Sequence, residues 1–169
     1  MAVEARGKWA QGFALLSFFL LLIAFYAYVE GWLQQAHNPN QAPMQSDGVL
    51  RLLPSQDGHY RVSGQINGYP VVFVLDTGAT GIALSEQLAQ RIGLVGMGEV
   101  RSMTANGLVL AKRTQLQSIQ IGEIRLINMP ASILPNMDDE VLLGMSFLRH
   151  FDWRRAQGEL WLTPMQNNF

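Results

Sequence analysis

Val71-Val72-Phe73-Val74-Leu75 is a run of five apolar residues, mostly β-branched or aromatic, and it ends in Asp76-Thr77-Gly78-Ala79-Thr80. Such a run predicts a buried strand. An Asp at the end of a buried strand carries a charge that needs a partner or a use. Asp76 is therefore expected to lie deep, with Gly78 taking a backbone conformation closed to other residues. That would present one carboxylate at the floor of a cleft. The plainer alternative is a turn whose Asp caps the next segment.

Other chemistries find less support. There is no cysteine, which excludes disulfides, thiolate metal sites and cysteine nucleophiles. His37, His59 and His150 are scattered without metal-ligand spacing. Asp138-Asp139-Glu140 lacks the ligand spacing of a calcium loop and reads as a solvated loop. The glycines of 93–98 lack the Lys-Ser/Thr of a phosphate loop, and Gly144-Met145-Ser146 lacks the second glycine of a nucleophile elbow. A net charge of −1 argues against a nucleic-acid binder. No metal or cofactor is expected.

The elements that must position Asp76 are mostly strands. His59–Ile66 runs into Asn67-Gly68, a strong hairpin signal, and then into Val71–Leu75. Ser85 is placed to cap a short helix through Ile92, with Gly93 past its end. Met103-Thr104 and Leu108–Leu110 form the arms of a second hairpin tipped by Ala105-Asn106-Gly107. A further region, Ile119 to Met129, alternates apolar residues around Gly122-Glu123. Val141-Leu142-Leu143-Gly144 reads as a second buried strand, Met145–Phe151 as a helical turn, and Glu159–Thr163 as a last strand. The sum is a small all-β domain with one or two short helices, spanning residues 49–169.

The N-terminus belongs to another environment. Trp9 to Val29 holds no charged residue, and its length matches the ~20 residues a membrane-spanning helix needs. Arg6 and Lys8 precede it, Glu30 follows, and the next basic residue after the span is Arg51. The positive-inside rule then puts residues 1–8 in the cytoplasm and the domain outside it, as a single-pass inner (plasma) membrane protein with a periplasmic or extracytoplasmic domain. A cleaved signal peptide would have a shorter apolar run and a small-x-small site, which Ala24–Tyr28 does not supply. Residues 30–48, rich in Gln, Asn, Pro and Ala, read as a linker.

Taken together, the apolar strand ending in Asp76-Thr77-Gly78-Ala79, the hairpin tipped by Asn106-Gly107 and the Leu142-Leu143-Gly144 strand resemble the retropepsin-like aspartic proteases, and more closely their bacterial membrane-anchored single-domain members. The resemblance implies a small closed barrel or sandwich. It makes Asp76 the catalytic aspartate of an endopeptidase acting on polypeptides. Thr77 would join two active-site loops across a dimer axis, Gly78 would turn the loop beside substrate, and Ala79 would complete it. Thr104, Ala105, Asn106, Gly107 and Leu108 would form a substrate-covering flap. Leu142, Leu143 and Gly144 would pack behind the loop.

Aspartate-catalysed peptide hydrolysis uses two carboxylates sharing a proton, and this chain has one Asp-Thr-Gly. A domain of about 120 residues is too short for two fused lobes, so the second Asp76 is expected from another copy, in a homodimer. Ala79 cannot hydrogen-bond the dyad, which predicts activity at mildly acidic to neutral pH. The competing expectation is a non-catalytic module that binds peptides or assembles a membrane complex on the same fold. A weaker one is a structural β-domain without a peptide ligand.

Overall fold

The computed structural model describes residues 2–104 and 107–165. It divides into two units, 1–36 and 37–169. The first is nearly all of helix α1, Ala2–His37. One stretch of it, Phe13–His37, is long and apolar enough to cross a membrane. Its side chains from Phe13 to Tyr28 are exposed, as a membrane-facing helix requires. At ~1.5 Å per residue α1 runs about 54 Å, well beyond a hydrocarbon core of ~30 Å.

Among the described residues, eleven strands and two short helices make up the second unit. One sheet has four strands in the order β1 (Met44–Ser46), β2 (Val49–Leu52), β11 (Glu159–Pro164), β10 (Phe151–Ala156). The other runs β3 (Tyr60–Ile66), β4 (Tyr69–Leu75), β9 (Val141–Leu143), β5 (Ile82–Ser85), β8 (Ile124–Leu134), β7 (Gly107–Ile121), β6 (Glu99–Thr104). β3 also pairs with β7, through Gln65↔Gln120 and Ile66↔Ile119. That extra pairing closes six strands into a barrel and leaves β6 outside it. The all-β, closed-barrel expectation holds.

Local sequence explains the main joints. Asn67 and Gly68 both take positive φ in the β3–β4 turn, as a tight hairpin of this type demands. The Asn67 side chain also accepts the Ser118 N–H at 2.9 Å, fixing the turn to β7 where the barrel closes. Ser85 caps α2 (Glu86–Arg91) by accepting the Leu88 N–H at 3.0 Å. α3 (Met145–Leu148) occupies part of the expected helical turn, while Phe151 starts β10 instead. The core joins Leu52, Val62, Phe73, Leu84, Leu116, Val141, Leu143, Phe147 and Leu162, all nearly or fully buried. Each such side chain contributes about 1.5–3 kcal/mol by leaving water.

The expected linker is a different structure. α1 continues to His37, and residues 38–46 belong to the barrel unit. Asn40 is buried and its side chain holds Leu53 and Arg61: Nδ2 donates to both carbonyl oxygens at 2.8 and 2.6 Å, and Oδ1 accepts the Leu53 N–H at 2.8 Å. Polar composition read as flexibility, but these amides satisfy backbone groups that the strands leave open.

Candidate active site

Asp76 follows the last residue of β4, and the chain crosses through 77–81 to enter β5. Both arms of this crossover pair with the same strand. β4 runs parallel to β9, with Leu75 opposite Leu143, and β5 runs antiparallel to it, with Ile82 opposite Leu143. The loop is therefore wrapped around the end of β9. Backbone hydrogen bonds fasten it there: Asp76 N–H to Leu143 O at 3.1 Å, Gly144 N–H to Gly81 O at 3.2 Å, Met145 N–H to Ala79 O at 2.8 Å and Ser146 N–H to Thr80 O at 2.9 Å.

Gly144 makes this possible by having no side chain. A Cβ there would lie 2.3 Å from Ala79 O and 2.5 Å from Gly81 O. Leu143 and Gly144 lie against the loop, and Leu142 precedes them in β9.

Two expectations about the loop need correction. Asp76 is half-buried rather than deep, because the strand delivers it to the rim of the barrel and not to its interior. Gly78 does not have positive φ. Its backbone N–H donates to Asp76 Oδ1 at 2.8 Å, and an added Cβ would come 3.2 Å from that oxygen. The glycine keeps space beside the carboxylate; no unusual backbone conformation requires it. Thr77 and Gly78 are exposed. Thr77 has no hydrogen-bond partner among the described residues.

Asp76 lies between two concavities. One, of about 710 Å³, is walled by the loop, by Ile82, Leu134 and Leu142, and by Arg101, Ser102 and Met103 of β6. The other, of about 320 Å³, lies on the Thr77 side against His59, Tyr60, Trp153 and Arg155. The β6–β7 hairpin carries Thr104 paired with Gly107, and Leu108 paired with Met103. Its expected tip residues Ala105 and Asn106 lie outside the described residues. The arms are longer than the sequence suggested, 99–104 and 107–121.

Sequence reasoning passed over Arg101, Ser102 and Met103 as cleft residues. The available signal was the exposed apolar Met103 within a strand arm. In the acidic loop Asp138 and Asp139 are exposed, as expected, but the loop is also paired. Glu140 accepts from Arg61 Nε at 2.7 Å, and Asp139 pairs with Arg91 at 3.0 Å. Arg61 also bonds both Asp57 oxygens at 2.8 Å. That hydrogen bond, first among several contributions, holds the Asp57 carboxyl down at about 2. Burial works against the Arg61 charge, but Glu140 and Asp57 outweigh it and raise its pKa. The loop is clamped to β3 and α2, not merely solvated. Among the described residues, no group of three or more His, Asp or Glu side chains could hold a metal ion.

A closed barrel whose single Asp-Thr-Gly loop wraps a Leu-Leu-Gly strand is the architecture of the retropepsin-like aspartic proteases. Residues 62–150 match the family model described as "gag-polyprotein putative aspartyl protease". A retropepsin-like aspartic protease from Rickettsia conorii, known from its crystal structure, superposes with a TM-score of 0.58 at 32% identity, covering 68% of this chain and 89% of that one. An uncharacterized protein in the cobV 5' region of Sinorhizobium sp. is 30% identical over 86% of this chain and 70% of its own length. An uncharacterized protein of Rickettsia prowazekii (strain Madrid E) is 35% identical over 67% of this chain, which spans half of that relative's length. The chain belongs to the retropepsin-like aspartic protease family.

Proposed function

We propose that the chain is an aspartic endopeptidase that hydrolyses peptide bonds of polypeptides with a dyad built from Asp76 of two copies. The observation that carries this reading is the placement of Asp76 and Thr77: one carboxylate per chain, at the partly open tip of a backbone-braced loop, between two concavities. Peptide hydrolysis needs a base to take a proton from water and an acid to polarise the carbonyl. Two Asp76 side chains at about 3 Å could not both ionise, so they would share one proton and divide these roles.

Four other carboxylates are placed for different work or for none. Asp57, Asp139 and Glu140 are engaged by arginines. Asp152 sits exposed on the edge strand β10. Thr77 would bond its copy across the axis, and the β6–β7 hairpin would cover substrate. The apolar helix would anchor the protein in a membrane. Its preceding basic residues favour a cytoplasmic N-terminus and a domain on the far side. Two anchored copies meet at a raised effective concentration, which favours a weak dimer.

The test uses the full chain in detergent micelles, wild type and Asp76→Asn, incubated with an unfolded protein and followed by mass spectrometry and sedimentation. Cleavage by the wild type alone, with dimers present during turnover, is expected. Equal cleavage by both proteins, or by neither across the titration range of a carboxylate dyad, returns the fold to a peptide-binding role. A strict monomer that still cleaves removes the shared dyad.

A further inference from the structure

We propose that Arg101 makes the larger cleft a subsite for an acidic side chain, placed a few residues from the scissile bond of an otherwise apolar polypeptide. This rests on the proteolytic reading above and names its substrate class.

The walls of the 710 Å³ cleft carry two formal charges, Asp76 and Arg101. The rest is small, apolar or hydroxylic: Ala79, Ile82, Leu134 and Leu142 beside Thr80, Ser102 and Ser132. Arg101 is exposed, and among the described residues no carboxylate pairs with it. Glu99 lies on the same face of β6, opposite Lys112, whose ammonium is held by Glu86 at 3.0 Å. In register, Leu110 stands opposite Arg101 and Leu108 opposite Met103, so all four side chains share one hairpin face. Leu108 and Leu110 are each 60% exposed and Met103 78%. An unpaired guanidinium set among apolar side chains is a bidentate receptor for a carboxylate.

Position follows from charge. A dyad holding one proton keeps a negative charge at the scissile bond, so a substrate carboxylate is repelled there. If, as the proteolytic reading has it, the Thr104 end of β6 covers the scissile bond, Arg101 lies about 10 Å back along the strand at ~3.3 Å per residue, a distance an extended substrate covers in about three residues. Two-fold symmetry would supply a second Arg101, so the preference would recur on the other side of the bond.

The test uses the full chain in detergent with matched twelve-residue peptides carrying Glu or Gln at each position in turn. The wild type is expected to favour Glu by about threefold to tenfold in kcat/KM, carried by KM, at a position two to four residues from the cut. The preference should shrink as ionic strength rises. Arg101→Gln is expected to remove it, and Arg101→Glu to turn it toward Lys. Equal use of Glu and Gln peptides by the wild type, or a preference that survives Arg101→Gln, overturns the proposal. Binding of the same peptides to the Asp76→Asn chain, read by fluorescence anisotropy, separates the two readings. A Glu preference in binding that Arg101→Gln removes sustains the subsite even if the wild type cleaves nothing. Binding of neither peptide set overturns it.

Discussion

Residues 76–81 are fastened from beneath by Leu143, Gly144, Met145 and Ser146, while on the far wall of the same cleft β6 pairs, among the described residues, with β7 alone. The loop side rests on side chains with almost no exposure, Phe73 and Leu143 among them. The hairpin side holds Met103, Leu108 and Leu110 largely in solvent. The bracing of the first region is complete within one chain. The second keeps apolar surface that the rest of the barrel does not bury. The difference teaches where precision is stored: stability and site geometry are coupled in the loop and separable in the hairpin.

Gly144→Ala should break that contrast most severely. The new methyl meets two loop carbonyls, so destabilisation of at least about 3 kcal/mol is expected, read by denaturant unfolding together with loss of cleavage. Asn40→Ala removes three part-buried hydrogen bonds at the entry to the barrel. A loss of about 2–3 kcal/mol is expected; any cleavage remaining at temperatures below the unfolding transition should be near wild type. Asp57→Asn acts through pH. The Asp57 carboxyl is lowered to about 2 in the fold, so its stabilisation is present above about pH 4 and fades as pH falls through about 2. Its side chain is 46% exposed, so screening keeps the gap to the variant below about 1 kcal/mol. Melting curves should differ at neutral pH and converge in strong acid. The smallest effect on stability belongs to the hairpin. Met103→Ser with Leu108→Ser should stay within about 0.5 kcal/mol of wild type while raising KM severalfold. A large stability loss there would erase the distinction between the two walls.

The floor of the site was legible because each of its parts has a short-range cause. An apolar run followed by Asp, the Asn67-Gly68 turn and the Ser85 cap each announce themselves within a few residues. β5 went unread because Ile82–Ser85 is too short to show a period and owes its existence to β8 and β9. β10 was missed for the opposite reason: Asp152 to Arg155 are all exposed on an edge strand, where charge discourages unwanted pairing and hides the alternation. The Arg61–Glu140 and Arg91–Asp139 pairs join distant segments, which no local pattern encodes. Residues 38–46 misled because amides that satisfy buried backbone groups have the same composition as amides in a loose tether.

The wrapping of the loop around β9 also sets a schedule for how the molecule comes into being. Leu75 and Asp76 leave the ribosome long before Leu143 and Gly144, yet the loop has no brace until that late strand slides between β4 and β5. Pairings so distant in sequence form slowly. A nascent chain therefore carries its carboxylate unformed through most of synthesis. Any product cut short before Gly144 is left with the motif but without the geometry.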